Sequence, residues 1–566
     1  MTEQKHTFDI HHLIANHVSD LVDSAVAKFD RKPAFSCILP SGHHGTISYA
    51  EFGYFSDAIA AYLSCDLGIK KGDVVALQSP NCLAYPVIVH GALKAGATLS
   101  NINPLYTPEE ATHQLKDSGA NILFVIDLFG DKVGRSVEGT QVEKVIKISL
   151  LDLFPTPKRL FLGFILKYVK KILPVPDRSF DDDFQSVLTK GQQHLARGMA
   201  IKPLRAGIKP EDDAIYQYTG GTTGVSKGAC LTHENLMSNL TQINSRDDSI
   251  SIGEDDGGVA LIILPLYHVF ALMFATLQLI YHGGHALLVP QPRPIDNLRS
   301  AFEKFNVMYF PGVNTLYQAL LQAEWFRKNP PKNLKLCLSG AAPLQPAVAE
   351  EWFELTGCSI YEGYGLTEST CVVSSMQYDE PPRPGSCGKP LPGTELRFVD
   401  DDGVDVAKGE RGEIWVKGPQ IMAGYLNRPE ATADAITQGW FKTGDIGLLD
   451  DEGFLYIVDR KKDTVIVSGF NVFPTDVEAV IIEMAGVAEV GAIGLPDAKS
   501  GERVVAYVVK ADNSITEDDI INYCHTKLTN YKVPREVRFI DELPKSPVGK
   551  VLRRVLRDEA RKAEGI

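Results

Sequence analysis

The sequence predicts an α/β fold in two parts: a large N-terminal α/β domain of several subdomains, followed by a small C-terminal α/β domain. Three observations point there. Strand-like runs alternate with helix-like runs along the chain, the pattern of βαβ units around a mainly parallel sheet. The 566 residues correspond to about three to four domain-sized units. A second set of strand and helix signals follows the dense charge run Asp459-Arg460-Lys461-Lys462-Asp463. No repeat period is visible.

In chain order, Val74–Leu77 reads as a strand, followed by the polar turn Gln78-Ser79-Pro80-Asn81, a long apolar segment and a second strand over 121–126. Ligands in such sheets bind at the carboxyl ends of strands. Ala214–Tyr218 reads as a strand leading into a Gly/Thr loop, and a helix with Thr232 as cap follows, with Leu236, Leu240 and Ile243 on one face. From Gly257 to Pro292 there is no Lys, Arg, Asp or Glu. Pro265, three histidines and the Gly283-Gly284 pair interrupt it, so it reads as buried α/β core rather than a membrane span, which needs about 20 apolar residues. Beyond the charge run, Thr475 and Glu478 read as a capping-box pair opening a helix over Asp476–Met484. Strands are expected over Val490–Leu495 and Val504–Lys510, and a helix over Asp518–Leu528.

Composition narrows the function. A net charge of −14 leaves no phosphate-neutralising excess, so nucleic acid is not an expected partner. Nine scattered cysteines with no CxxC pair argue against a disulfide framework or a structural zinc site, and fit packing residues in a reducing cytoplasm. The start of the chain has no apolar run of the secretory type. Between Phe154 and Pro174 there are five basic and no acidic residues. Leu162, Ile165, Val169 and Ile172 fall there at helical spacing, the pattern of an interfacial amphipathic helix; the alternative is a surface helix packed on its own domain. The expected location is therefore cytoplasmic, with peripheral contact at the inner membrane face. The oligomeric state is not legible, and a homodimer is the assembly entertained.

The strongest chemical signal is Tyr218-Thr219-Gly220-Gly221-Thr222-Thr223-Gly224-Val225-Ser226-Lys227. Three glycines let backbone N–H groups approach a polyphosphate, four hydroxyls add donors and Lys227 adds charge. It is not the Walker pattern, because no Gly-Lys-Ser/Thr run closes it. The loop resembles the phosphate-binding signature of the acyl-adenylate-forming (AMP-binding) superfamily, which includes acyl-CoA synthetases. In the order of that family follow Tyr361-Glu362-Gly363-Tyr364-Gly365-Leu366-Thr367-Glu368, similar to its adenine and magnesium motif, and Gly439–Asp445, similar to its ribose motif. Asp459–Val465 resembles its hinge, and Pro544–Lys550 its C-terminal catalytic-lysine loop. The charge run, Asn103-Pro104-Leu105-Tyr106-Thr107 and the basic insert near Phe154 further resemble the bacterial long-chain fatty-acid–CoA ligases.

The resemblance implies an adenylate-forming domain over 1–459 and a mobile C-terminal domain over 460–566 that rotates about a hinge near Lys462. It implies ATP, Mg²⁺ and CoA as cofactors and co-substrates, and a fatty acid as substrate. Lys550 and Lys227 would be catalytic. The nucleotide would lie against Thr219, Gly220, Gly221, Thr222, Thr223, Gly224, Gly340, Glu362, Gly363, Tyr364, Gly365 and Thr367, with Asp445, Arg460 and Lys462 at the ribose and hinge. Glu368 and Thr219 would hold the metal. His268 is the third catalytic candidate; it lines the acyl pocket, meets the substrate carboxyl or packs in the core. No acid lies between Asp256 and Asp296 to pair an amino group, which favours an apolar acyl tail. Two positions depart from relatives: Leu272 stands where some carry a gating tryptophan, and Glu362 where several carry Gln. An acyl-AMP ligase that loads a carrier protein, a medium-chain or aryl acid ligase and a non-catalytic binder stay open as alternatives.

Overall fold

The computed structural model describes residues 9–219, 226–246, 258–512, 514–546 and 549–564. Two compact units emerge: Met1–Pro384 with Leu391–Thr394 and Gly418–Ile436, and Gly385–Pro390 with Glu395–Lys417 and Thr437–Ile566.

The first unit contains two sheets. One runs through strands Lys227–Thr232, Asp213–Thr219, Thr98–Ile102, Val74–Gln78, Ile122–Ile126 and Lys144–Ile148, parallel except where Lys227–Thr232 meets Asp213–Thr219. Val74–Gln78 and Ile122–Ile126 are buried along their whole length, as strands covered on both faces must be. The other sheet runs through Ile360–Tyr364, Leu336–Ser339, Val307–Gly312, Val259–Ile262, His285–Leu288 and Pro33–Ile38, all parallel. Its core includes Leu261, Leu287, Phe310 and the fully buried Trp352, whose ring stacks on Phe310 and Phe326. The charge-free segment expected to be core is core: Val259–Ile262 and Ala286–Leu288 are buried. Among the described residues no helix is long and apolar enough to cross a membrane.

The second unit pairs Glu395–Val399, Gly412–Lys417, Trp440–Leu449 and Leu455–Arg460 in an antiparallel sheet. A further sheet of Phe470–Val472, Val465–Val467, Gly501–Lys510, Val487–Asp497 and Glu536–Phe539 follows. Helices Pro474–Ile481 and Glu517–Lys527 pack on it through Val477, Ile481, Ile520 and Cys524. The terminal helix Arg553–Glu564 contributes Leu556 and Ala560 to a separate cluster with Ile493, Leu495 and Val505, residues that alternate with those of the first cluster and so line the opposite face.

One expected cap is corrected. The helix after the charge run begins at Pro474 and has no side-chain cap; Thr475 and Glu478 do not form a capping box. The proline presets the first turn, and Arg553 takes both side chains: its Nη2 donates to Thr475 Oγ1 at 3.1 Å and to Glu478 Oε2 at 2.6 Å. The capping box lies instead at the next helix, between Thr516 and Asp519.

The basic insert is also corrected in detail. Helix Thr156–Phe164 passes into a π-turn over Ile165–Val169, whose wider turn rotates the apolar face. Leu162 faces inward and is buried, Ile165 is half-buried, and Val169 and Ile172 stand exposed beside Leu160, Phe161, Phe164 and Tyr168.

Candidate active site

Strands Asp213–Thr219 and Lys227–Thr232 form a hairpin that carries the Gly/Thr loop at its tip. Thr219 pairs with Lys227, and Ser226 Oγ donates to the Thr219 carbonyl at 2.8 Å. Gly220, Gly221, Thr222, Thr223 and Gly224 lie outside the described residues. Thr232 caps the following helix as expected, taking the Asn235 N–H at 3.0 Å. Lys227 is exposed, with Nζ 5.1 Å from the Tyr425 ring centre. Tyr425 in turn donates its hydroxyl to Glu368 Oε1 at 2.9 Å, and the Glu368 carbonyl accepts from Met422 N at 2.8 Å. Burial and the Glu368 charge both raise the Tyr425 hydroxyl, so it stays a donor. Tyr425 thus ties the loop lysine to the metal-candidate carboxylate. Sequence reading missed it, since Gly424-Tyr425 carries no motif; only its pairing with Ala229 and Cys230 brings it there.

The second motif lies at the carboxyl end of a parallel strand, where a ligand is expected. Strand Ile360–Tyr364 pairs with Leu336–Ser339, setting Ser339 opposite Glu362. Glu362 Oε2 accepts the Leu344 N–H at 3.0 Å, and burial pushes its carboxyl up to about 7. Gly340, Gly363 and Phe270 come together: a Cβ at Gly340 would stand 3.4 Å from Phe270 and 3.7 Å from the Gly363 carbonyl. Tyr364 is half-buried, its carbonyl held by Val373 N at 2.8 Å. Thr367 and Glu368 begin the single turn Thr367–Ser369. His268 Nδ1 caps the short helix Val269–Met273, taking Phe270 N at 3.4 Å, and burial lowers the imidazole to about 4. This neutral imidazole lies two residues before Phe270, and Leu272 is buried in the helix it caps.

The second unit holds the remaining candidates. Asp445 and Arg460 face each other across paired strands, with Arg460 Nε 3.0 Å from Asp445 Oδ1. Asp445 is almost wholly buried and its N–H donates to Thr443 Oγ1 at 3.0 Å. Lys462 sits in the one-turn segment Lys461–Asp463, its ammonium disfavoured by partial burial and by Arg460. Lys550 is tied to Ser546: Ser546 N donates to the Lys550 carbonyl at 2.8 Å and Lys550 N to Ser546 Oγ at 3.1 Å. Burial, then Arg460, Arg553 and Lys462, push the Lys550 ammonium down to about 8 against the opposing pull of Asp445. Four residues from three separate motifs therefore converge in this unit: Asp445, Arg460, Lys462 and Lys550.

Two motif clusters, one at the end of strand Ile360–Tyr364 and one around the Asp445–Arg460 pair, match one group of enzymes. The family model for AMP-binding enzymes covers residues 22–426, and the model for their C-terminal domain covers 476–550. The chain belongs to the AMP-binding enzyme family. Within that family it is similar to a long-chain-fatty-acid–CoA ligase from Escherichia coli O6:H1, 45% identical over 547 residues, spanning 96% of this chain and 94% of the relative. Among solved structures it resembles ATP-bound MatB from Rhodopseudomonas palustris, with 29% identity, a TM-score of 0.81 and coverage of 96% and 99%. It also resembles the anthranilate CoA ligase AuaEII in complex with anthranoyl-AMP, with 25% identity, a TM-score of 0.83 and coverage of 97% and 98%.

Proposed function

We propose that the chain is an ATP-dependent long-chain fatty-acid–CoA ligase. The observation that carries this reading is the convergence of the Lys550 ammonium on the Asp445–Arg460 pair. Asp445 suits the ribose hydroxyls, and a cation beside it would then stand at the α-phosphate and the substrate carboxylate. In the first step a carboxylate oxygen attacks the α-phosphorus and pyrophosphate leaves with the bond it breaks. Repulsion among crowded oxygens opposes this, so fixed cations and donors dominate catalysis. Lys550 and Lys227 supply charge, and Tyr364 offers an aromatic face to adenine. In the second step the CoA thiol loses its proton to solvent, its sulfur attacks the acyl carbon and AMP leaves.

Glu368 and the Thr219 hydroxyl offer the hard oxygens that Mg²⁺ takes and would hold it together with the nucleotide, where it would neutralise phosphate charge. Residues 460–566 are taken as the mobile domain with the hinge near Lys462, because Lys550 would obstruct the thiol in the second step. The buried, acid-free segment around Leu266, Val269 and Leu272 supports an apolar acyl tail, at about 0.8 kcal/mol per buried methylene.

Pyrophosphate release over a panel from acetate to eicosanoate tests this reading. Release should be greatest with long chains and should be accompanied by CoA-dependent AMP release. Release indifferent to CoA would favour a carrier-loading ligase instead, and a maximum at short or aromatic acids would remove the long-chain assignment.

The exposed row Leu160, Phe161, Phe164, Tyr168 and Val169, with Lys158, Lys167, Lys170 and Lys171 also exposed, supports peripheral contact with an anionic lipid surface from the cytoplasmic side. Phe161 and Phe164 are 61% and 59% exposed, an apolar area that gains only where something covers it. Replacing both by Glu should weaken co-sedimentation with anionic vesicles about tenfold or more, leaving pyrophosphate release with a soluble acid unchanged. Undiminished binding would leave the segment a surface helix only.

A further inference from the structure

Asp459 is one residue before Arg460 and three before Lys462, and its side chain is 1% exposed. Three donors satisfy it. Oδ1 takes the Arg460 N–H at 2.7 Å and Arg553 Nη1 at 2.9 Å, while Oδ2 takes the Thr475 N–H at 2.8 Å. Arg553 lies three residues after Lys550 and opens the terminal helix. Its remaining donors go to Glu478, with Nε at 3.0 Å from Oε1 and Nη2 at 2.6 Å from Oε2, and to Thr475 Oγ1, 3.1 Å from Nη2. Glu478 Oε1 also takes the Ala492 N–H at 2.7 Å, so this carboxylate is fixed to the small sheet. Asp463 adds a third carboxylate, 3.8 Å from Arg553 and 3.1 Å from Arg557.

These partners divide at Lys462. Glu478, Asp463, Thr475 and Ala492 follow the hinge residue and would travel with Arg553 in any rotation about it. Asp459 precedes it. Rotation therefore preserves the Arg553–Glu478 fork and must break both bonds that reach Asp459 from beyond the hinge. A buried carboxylate that loses its charged partner is costly, so this contact weights one arrangement over the other.

We propose that the Asp459–Arg553 pair is a latch specific to the adenylate-forming arrangement, with Arg553 as the positioning residue that sets Lys550 against Arg460 and Asp445. The inference rests on the ligase reading above and on its hinge. It predicts a one-sided kinetic defect: weakening the latch slows acyl-AMP formation and spares, or speeds, thioester formation.

The test separates the two half-reactions in the full-length enzyme, using ATP–pyrophosphate exchange for the first and supplied acyl-AMP with CoA for the second. Asp459→Asn keeps the shape and removes the charge; it should lower exchange about ten- to hundredfold while thioester formation stays at or above wild type. Arg553→Lys, which keeps a charge but weakens both the Asp459 contact and the fork to Glu478, should lower both half-reactions, adenylation the more. Glu478→Gln weakens the contact that survives rotation, so it should lower both half-reactions together. Equal losses in Asp459→Asn, no loss at all, or the same one-sided loss in Glu478→Gln would overturn the latch. A wild-type enzyme that forms no acyl-AMP from any acid would instead overturn the ligase reading itself, so the two failures are distinguishable.

Discussion

Replacing Lys550 by alanine should lower acyl-AMP formation about 10²–10³-fold, the scale on which loss of one preorganised charge-stabilising donor is felt, and leave thioester formation from supplied acyl-AMP close to wild type. The asymmetry follows from when the charge is needed. Pyrophosphate departure concentrates negative charge at the α-phosphate, whereas thiol attack releases AMP from an anhydride already formed. Equal losses in the two half-reactions would remove the assigned role. The pH dependence gives a second handle. An ordinary lysine titrates near 10.4, but burial and the neighbouring Arg460, Arg553 and Lys462 bring Lys550 to about 8. Adenylation should therefore fall as pH rises through about 8, while thioester formation lacks that limb. The sign for stability is opposite: the fold disfavours the charged form, so the penalty is present below about 8 and fades as pH rises toward the unfolded value. A flat adenylation profile from pH 7 to 10 would show that the ammonium is not required.

The parts of this molecule that were legible are those whose cause is local. The strands at 74–78 and 122–126 are apolar runs between turns, and Thr232 and its helix carry their own cap. The Gly/Thr loop was readable because its glycines, hydroxyls and lysine mark phosphate chemistry on their own, whereas the Tyr361–Glu368 segment was readable only through its resemblance to a family motif. What escaped has causes distant in sequence. Tyr425 reaches Glu368 across 57 positions through a two-residue strand that no periodicity reveals. Thr475 and Glu478 have the right spacing for a capping box, yet Arg553, 75 positions from Glu478, offers both a charged partner and displaces that local option. The face of the basic insert was misjudged because a π-turn shifts it, and nothing in an apolar count distinguishes a five-residue turn from a regular one.

Gly365→Ala should be nearly as damaging as loss of Lys550, for a steric reason. A Cβ at Gly365 would stand 1.5 Å from the Cys371 carbonyl oxygen and 2.6 Å from its carbon, so backbone has to move. The opposing segment has little freedom to yield. Thr370 Oγ1 donates to the Gln420 carbonyl at 2.6 Å, and Asn239 brackets Val372, accepting its N–H at 3.0 Å and donating to its carbonyl at 2.8 Å. The displacement therefore falls on the strand end that carries Tyr364, Thr367 and Glu368. Overpacking of this kind costs about 1–3 kcal/mol of stability, and a shift of about 1 Å in a positioning group costs on the order of 10²-fold in rate. Gly207→Ala is the control, since nothing lies within 4 Å of its Cβ and it has no part in the site. Pyrophosphate exchange and thermal melting of both variants should show Gly365→Ala losing rate well beyond its loss of stability, with Gly207→Ala close to wild type. An alanine at 365 that leaves exchange intact would mean that the close approach to Cys371 does not position the nucleotide strand, and the roles given to Tyr364 and Glu368 would need another support.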